Sequence, residues 1–348
     1  MMKKIILLLV LLFLPLLIVE LSLRNPAVFL KLLSFTSPTE WSKGYIKVNY
    51  WPEILVMGSS LTRSSIDPDL LEEVVGKKGF RYQVGDISVP SDSLANDFFT
   101  LNRIFATCVK CPEKIILGLT DIALKEHELA GWQPITKARI KQNYIFDTDD
   151  LLSQAAILDP SYAEHKREID REKFSRLYFY RRDINRMMKN VLFISPQNQT
   201  GAIVKTQTTG DPGYGFWAYE QKLSEADPKD SIRNYREYLG NYSIGGSGDF
   251  FLRKIIQMSK QRNVELILVS TPLSDIYQTN FVDEVTEYKS YAIKISADHQ
   301  LRYVNGVDLF PAKHELYSDT NHLNMYGAKL FTKYLGETLI SFWTGQKK

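Results

Sequence analysis

Two short segments, far apart in the sequence, carry side chains able to form and break an ester. Ser60 follows a glycine and a serine after the apolar run at residues 54–57. Asp319 and His322 form a D-x-x-H pair much later in the chain. A serine hydroxyl becomes nucleophilic when a neighbouring base takes its proton, and that base needs a carboxylate to fix its tautomer. The spacing predicts a triad in which Asp319 holds Nδ1 of His322 and leaves Nε2 facing Ser60.

Each segment alone also fits an ordinary structural role. A serine after a strand often caps a helix, and a histidine at the start of a helix needs no catalytic partner. The two segments together favour the triad, because the serine then directly follows a predicted strand and the histidine with its acid directly precedes a predicted helix.

Short apolar runs alternate with helical patterns, which is typical of a parallel sheet covered on both faces. We expect strands at residues 53–57, 81–84, 114–117, 264–269 and 302–304. Helical spacing marks residues 94–105, 251–258 and 325–342, and another helix is expected from about residue 67. Because ligands bind at the carboxyl ends of parallel strands, Ser60 is well placed to act as a nucleophile.

The alternation stops between the third and fourth predicted strands, and the gap is too long for a simple crossover. We therefore expect an insertion at about residues 126–246. Its first half, residues 149–190, is charged and helical, and its basic cluster suits either a solvated face or an anionic partner. That cluster comprises Arg181, Arg182, Arg186 and Lys189. The glycine and aromatic stretch at residues 210–217 fits either a binding loop or an ordinary surface loop.

The N-terminus has the pattern of a membrane anchor. Lys3 and Lys4 precede an apolar run at residues 5–19, which continues beyond Glu20 to residue 23. No small-x-small cleavage site follows, so an uncleaved signal anchor at residues 1–24 is favoured over a cleaved signal peptide. The positive-inside rule then puts the linker at residues 25–48 and the domain at residues 49–345 outside the cytoplasm, tethered to the cell membrane by a single pass.

The composition limits the classes of protein to which the chain can belong. The chain has 348 residues, 44% of them hydrophobic, and a formal net charge of +3. This fits one main globular domain and gives no reason to expect a nucleic-acid partner. Cys108 and Cys111 are expected in a loop between a helix and a strand, as a small disulfide or two idle thiols rather than a redox pair. We expect no metal site and no cofactor.

The residues after the first strand and before the last helix resemble the motifs of the SGNH (GDSL-like) hydrolase superfamily. The resemblance covers roughly residues 50–125 and 264–343. It implies a three-layer, flavodoxin-like parallel sheet, here with a helical insertion and preceded by one transmembrane helix. In this family's logic Ser60 is the nucleophile, His322 the general base and Asp319 its orienting acid.

The oxyanion-hole motifs of that superfamily match less closely. Ser59 stands where many members carry aspartate, which leaves the triad unchanged. A glycine N–H after the second strand and an asparagine side chain after the third are expected as further donors. Candidates here for the oxyanion hole and substrate contacts are Gly85, Ser88, Ser91, Thr120 and Asp121. Thr120 stands where asparagine is expected, and its hydroxyl can also donate a hydrogen bond.

The N-terminal anchor, the Gly-Ser-Ser turn in place of Gly-Asp-Ser and the Val269-Ser-Thr-Pro272 strand end resemble one branch of this superfamily. That branch is the membrane-tethered acyl-transfer proteins of bacterial envelopes. These include the D-alanyl transfer protein of teichoic acid modification and the O-acetyltransferases of alginate. The resemblance implies acyl transfer or ester hydrolysis at an envelope glycan, or another hydroxyl acceptor, with a multi-span membrane O-acyltransferase as partner. The alternative is a binding or assembly protein that keeps the fold but has lost efficient catalysis.

Overall fold

The computed structural model describes residues 51–126, 149–172, 216–223 and 228–345, together with residues 17–22 and a few isolated positions. Those positions are Leu14, Gln133, Thr136, Lys137 and Ile140. Most of the predicted anchor and the whole linker at residues 25–48 lie outside the described residues. None of the helices described is both long enough and apolar enough to span a membrane.

The five strands form one parallel sheet, which confirms the predicted α/β class. Its strands are β1 (Ile54–Met57), β2 (Val84–Asp86), β3 (Lys114–Leu119), β4 (Glu265–Ser270) and β5 (Arg302–Asn305). Their spatial order is β2-β1-β3-β4-β5, which recurs among doubly wound α/β proteins. Met57 pairs with Leu117, so β1 and β3 approach their carboxyl ends side by side.

Helices connect and cover the strands. The described α-helices are α1 (Ser60–Ser65), α2 (Pro68–Gly76), α3 (Leu94–Thr107), α4 (Asp121–Leu124), α5 (Asp149–Leu158), α6 (Ser161–Glu172), α7 (Pro228–Leu239), α8 (Gly246–Gln261), α9 (Asp275–Asn280), α10 (Val282–His299) and α11 (Met325–Thr344). A short 3₁₀ turn, His314–Leu316, precedes the D-x-x-H segment.

Alternate strand residues point to opposite faces of the sheet, and both faces are buried. On one side, Leu55 and Met57 of β1 join a core with α3, α8 and α10. On the other, Ile54 and Val56 join a core with α2 and α11. All four side chains are at most 1% exposed. The arrangement is compatible with the predicted three layers.

Two helices beside the sheet begin with strong local signals. Asp67 caps α2 by accepting hydrogen bonds from the N–H groups of Asp69 and Leu70, with Pro68 at the first helical position. Asn324 caps α11 in the same way, accepting from the N–H groups of Tyr326 and Gly327. The start of α11 is therefore fixed immediately after the D-x-x-H segment.

The predicted strand at residues 81–84 is displaced in the structure. β2 begins only at Val84 and continues through Asp86, where the sequence has weak strand propensity. The aromatic residues before it pack elsewhere: the rings of Phe80 and Tyr82 contact Trp343 of α11 edge to face. Helix α1 is also additional to the expected helix that starts near residue 67.

Parts of the predicted insertion are described. Helices α5 and α6 pack on each other, and buried Leu152 and Tyr162 join the core on the α8 side of the sheet. The basic cluster at residues 181–189 and residues 210–215 lie outside the described residues. Cys108 and Cys111 form a disulfide between α3 and β3, the first of the two expected states.

Candidate active site

Ser60 occupies the first position of α1, directly beyond the end of β1. Ser59 is the cap of this helix, and its Oγ accepts a long hydrogen bond of 3.4 Å from the N–H of Leu61. The two adjacent serines therefore have different surroundings: Ser59 is buried and turned to its own helix, while Ser60 is half-buried.

Two glycines allow α1 to lie close over the strand ends. A Cβ atom on Gly118 would lie 1.8 Å from Oγ1 of Thr62, and one on Gly58 would lie 2.5 Å from the same atom. Gly58 also has a φ of +139°, a backbone conformation that residues other than glycine rarely adopt. The glycine before Ser59 is therefore required by the turn that presents Ser60.

The structure brings Ser60, His322 and Asp319 together in the predicted order. Nε2 of His322 lies 2.9 Å from Oγ of Ser60, although 262 positions separate the two residues. Nδ1 of His322 lies 2.8 Å from Oδ2 of Asp319. Both distances are within hydrogen-bonding range, so a proton can pass from the serine to an imidazole held by a carboxylate.

Internal hydrogen bonds hold the loop that carries Asp319 and His322. Oδ1 of Asp319 accepts hydrogen bonds from the N–H groups of Asn321 at 3.0 Å and His322 at 2.7 Å. The N–H of Ser318 donates to the carbonyl of His322 at 2.9 Å. The side chain of Asn324 donates to the carbonyls of Glu315 and Tyr317. These bonds fix the imidazole relative to the start of α11.

The electrostatics of the pair favour an ionised acid. Burial by itself raises the pKa of Asp319, but the charge of His322 and the hydrogen bonds from His322 and Asn321 outweigh it. The net pKa of this carboxyl is lowered below its usual value. Asp319 is therefore a carboxylate at neutral pH, as an acid that orients a histidine must be.

Helix α7, from the inserted part of the chain, contacts the loop that carries Asp319. Oγ of Ser231 lies 2.7 Å from Oγ1 of Thr320, the residue after Asp319. Burial, with the nearby charge of Asp319, raises the pKa of Tyr235 on the same helix. The ring of Tyr235 packs edge to face on Tyr277, with centroids 5.2 Å apart.

The loop after β2 runs alongside the turn that holds Ser60. The N–H of Val89 donates to the carbonyl of Gly58 at 2.9 Å. Of the three candidates in this region, Gly85 lies in the middle of β2 opposite Leu55, away from the strand end. The N–H of Ser88 is bound to Oδ1 of Asp86 at 2.7 Å.

Ser91, the third candidate in this loop, has an unusual backbone. Its φ is +54°, in the left-handed region that favours glycine. It lies two residues beyond the Val89 contact with the Ser60 turn. Ser91 is thus the position of the three whose conformation fits the expected glycine.

Thr120 and Asp121 follow β3, as predicted, but their side chains are already engaged. Oγ1 of Thr120 caps α4 by accepting from the N–H of Ala123 at 3.1 Å, which leaves its hydroxyl hydrogen to donate. Asp121 is 2% exposed, and its carboxylate accepts hydrogen bonds from Tyr277 and Ile122. Burial raises the pKa of Asp121, while those two hydrogen bonds act against it. Asp121 faces the protein core rather than an open cleft.

One further segment at the site has no motif of its own. Residues 216–223, here called the strap, link α1 to the start of α11. The N–H of Trp217 donates to the carbonyl of Arg63, and the carbonyl of Tyr219 accepts from the N–H of Met325. The Tyr219 ring lies edge to face with the His322 ring, with centroids 6.4 Å apart. The only sequence signal for this contact was the aromatic composition near residue 217.

In the described parts of the chain, no three or more His, Cys, Asp or Glu side chains are grouped so that they could hold a metal ion. No protein-family model matches this chain, and no curated protein matches it either.

Proposed function

We propose that this chain is a serine acyltransferase or esterase of the SGNH type that acts through an acyl-Ser60 intermediate. The observation that carries the proposal is the continuous contact from Ser60 through His322 to Asp319, at 2.9 Å and 2.8 Å. A nucleophile, a base and an orienting acid at these distances have the arrangement that serine acyl transfer requires. The five-stranded order and the turn after β1 also suit this fold family.

The chemistry follows from the geometry. Oγ of Ser60 attacks the carbonyl carbon of an acyl donor while its proton moves to Nε2 of His322, and Asp319 stabilises the resulting imidazolium. His322 then protonates the leaving group, and the acyl group remains on Ser60. A hydroxyl or water attacks the acyl carbon, gives its proton to His322, and releases Ser60, to which the proton returns. The N–H of Ser91 and the hydroxyl of Thr120 are our candidate donors to the oxyanion, with the N–H of Ser60.

The proposed setting is the outer side of a cell membrane, on an envelope glycan. The apolar N-terminal run behind Lys3 and Lys4 supports an anchor with this orientation. The Cys108–Cys111 disulfide supports an oxidising compartment. A multi-span membrane O-acyltransferase is the partner that would supply the acyl group from the cytoplasm.

A second candidate is a binding or assembly protein with little catalysis. The observation that favours it is Thr120, whose short side chain already caps α4 where an asparagine donor is expected. With one oxyanion donor weakened, turnover would fall by about 10² to 10³, the usual cost of such a loss. Acylation of Ser60 separates the two candidates, because a protein that only binds has no acyl-enzyme.

The test is covalent labelling of the purified protein with a fluorophosphonate probe. We expect labelling of the native protein and of Ser59→Ala, and none of Ser60→Ala. Ser59 is the matched control, since it is the adjacent serine and turns its hydroxyl to its own helix. Equal labelling of both variants, or none of the native protein, would exclude the acyl-serine enzyme.

A further inference from the structure

Exposed aromatic side chains are concentrated on one side of the triad. Among the described residues, three aromatic side chains are exposed: Trp217 at 38%, Tyr219 at 48% and Tyr326 at 54%. Trp217 and Tyr219 belong to the strap, and Tyr326 follows the residue whose N–H binds the Tyr219 carbonyl. The other aromatic residues described are buried or half-buried, so these three rings form a local feature.

The strap is held at both ends. The Trp217 ring lies under the guanidinium of Arg63, 5.8 Å from its centroid, and the Trp217 N–H binds the Arg63 carbonyl at 3.1 Å. At the other end, the buried Leu223 donates its N–H to the carbonyl of Tyr317 at 2.7 Å. The exposed rings are thus presented by a fixed backbone, and a ligand that binds them meets a preorganised surface.

The strap borders the base that must take the proton of an attacking hydroxyl. On the Asp319 side, Ser231 of α7 contacts Thr320, the residue after the acid. On the other side, the exposed Tyr219 ring stands edge to face with His322, whose Nε2 must take the acceptor's proton. An acceptor that approaches His322 along the strap therefore meets the Tyr219 ring, with the Trp217 ring two positions earlier in the strap.

Separate exposed rings beside a proton acceptor suit a particular chemistry. An aromatic face carries a negative quadrupole, which attracts the weakly positive C–H bonds on the flat face of a sugar ring. The hydroxyl groups at the edge of the same sugar remain free to reach Nε2 of His322. Consecutive sugar units can then occupy consecutive rings, while a single small alcohol cannot.

We propose that the strap is an acceptor subsite that binds an oligosaccharide by stacking sugar rings on Trp217 and Tyr219. This deepens the proposed function and rests on it. One sugar hydroxyl oxygen forms the new ester bond to the acyl carbon as the bond from that carbon to Oγ of Ser60 breaks. Its proton passes to Nε2 of His322 and then to Ser60.

The test uses the full chain in detergent with p-nitrophenyl acetate as acyl donor. The burst of p-nitrophenol counts the sites that acylate, and the later steady rate reports removal of the acyl group. Three hexasaccharides serve as acceptors: one neutral, one N-acetylated and one built of uronic acids. We expect at least one to accelerate the steady rate and to saturate.

Substitutions in the strap test whether it binds the acceptor sugar. With the accelerating hexasaccharide, Trp217→Ala and Tyr219→Ala should each raise the half-saturating concentration about threefold to tenfold, a loss typical of one aromatic contact. Rates are normalised to the burst, so a partly unfolded sample does not count as a binding defect. Tyr219→Phe should restore native half-saturation. Ile293→Ala, which removes an exposed apolar side chain of α10, should not change it.

The outcomes are distinct. A normal burst without acceleration by any hexasaccharide, or unchanged half-saturation in both alanine variants, would overturn the subsite and leave the acyl-serine intact. If the burst itself is missing, the proposed function fails. Tryptophan fluorescence titration with the same hexasaccharides then tests the surface alone: quenching that Trp217→Ala abolishes would keep the sugar site, and no quenching would remove it.

Discussion

Asp319 uses its two carboxylate oxygens for different purposes. Oδ2 contacts the His322 imidazole, and Oδ1 accepts two backbone N–H groups that close the loop. A single residue therefore sets both the tautomer of the base and the local chain path. These two roles can be separated experimentally, because asparagine keeps a carbonyl oxygen at the Oδ1 position and replaces only the other oxygen with a donor.

We predict that Asp319→Asn leaves the fold nearly unchanged and lowers activity steeply. The amide oxygen still accepts from Asn321 and His322, while its NH₂ group forces the imidazole into the wrong tautomer. In a serine-protease triad this change costs about 10⁴ in kcat. Melting temperature and fluorophosphonate labelling rate, measured on the same sample, check the prediction. A destabilised variant that labels at the native rate would show that Asp319 has only a structural role.

Single residues of the site differ in how far the sequence could predict them. The D-x-x-H pair is local, so its spacing predicted the contact between Asp319 and His322 that the structure contains. Tyr219 was missed because its contact with His322 depends on where a distant segment crosses the surface. No periodicity or motif in a single sequence predicts where a distant segment crosses the surface.

At the scale of elements, helix α1 is the part that positions Ser60, the proposed nucleophile. It lies over the ends of β1 and β3 because Gly58 and Gly118 leave room for Thr62. The sheet register sets the alignment, since Met57 and Leu117 are paired directly before these glycines. A methyl group added at Gly118, on the neighbouring strand β3, would therefore change the position of Ser60.

We predict that Gly118→Ala displaces α1 and slows labelling of Ser60. The new Cβ would lie 1.8 Å from Thr62 Oγ1, so the helix must move. Overpacking of this kind costs about 1–3 kcal/mol, enough to lower Tm by several degrees. Gly76→Ala is the matched control, because nothing lies within 4 Å of a Cβ there and Gly76 ends α2. Native labelling and Tm in Gly118→Ala would contradict this account of α1.

Elements were predictable where their pattern is long or buried. The strands at β1, β3, β4 and β5 were expected within a few residues of their bounds. For β1, β3 and β4 the reason is that continuous apolar runs mark strands buried on both faces. β2 was misplaced, since Gly85 and Asp86 pair in the sheet despite poor strand propensity. Helix α1 was missed because three of its six residues are serine, which favours caps and turns.

For the whole molecule, the prediction of greatest functional weight is that the domain lies outside the cytoplasm. The charged start of the chain and the long apolar run after it predict an anchor with the domain outside the cytoplasm. The exposed disulfide at Cys111 fits the same side. Neither feature involves the triad residues, so a test of location is independent of catalysis.

We predict that a reporter active only in the cytoplasm stays silent when fused after Lys348. The same fusion without residues 1–24 should be active, because it lacks the segment expected to direct the domain across the membrane. Reporter activity of the full fusion in intact cells is the measurement. An active full fusion would place the domain in the cytoplasm and refute the predicted orientation.

The separation of Ser60 from His322 by 262 positions has a consequence for synthesis. A growing chain presents Ser60 long before His322, because β4, β5 and the loop before α11 are made in between. On the proposed function, every chain interrupted before residue 322 carries an unactivated serine. Such incomplete products are then chemically inert towards cellular esters, and reactivity begins only when a chain that includes residue 322 has folded.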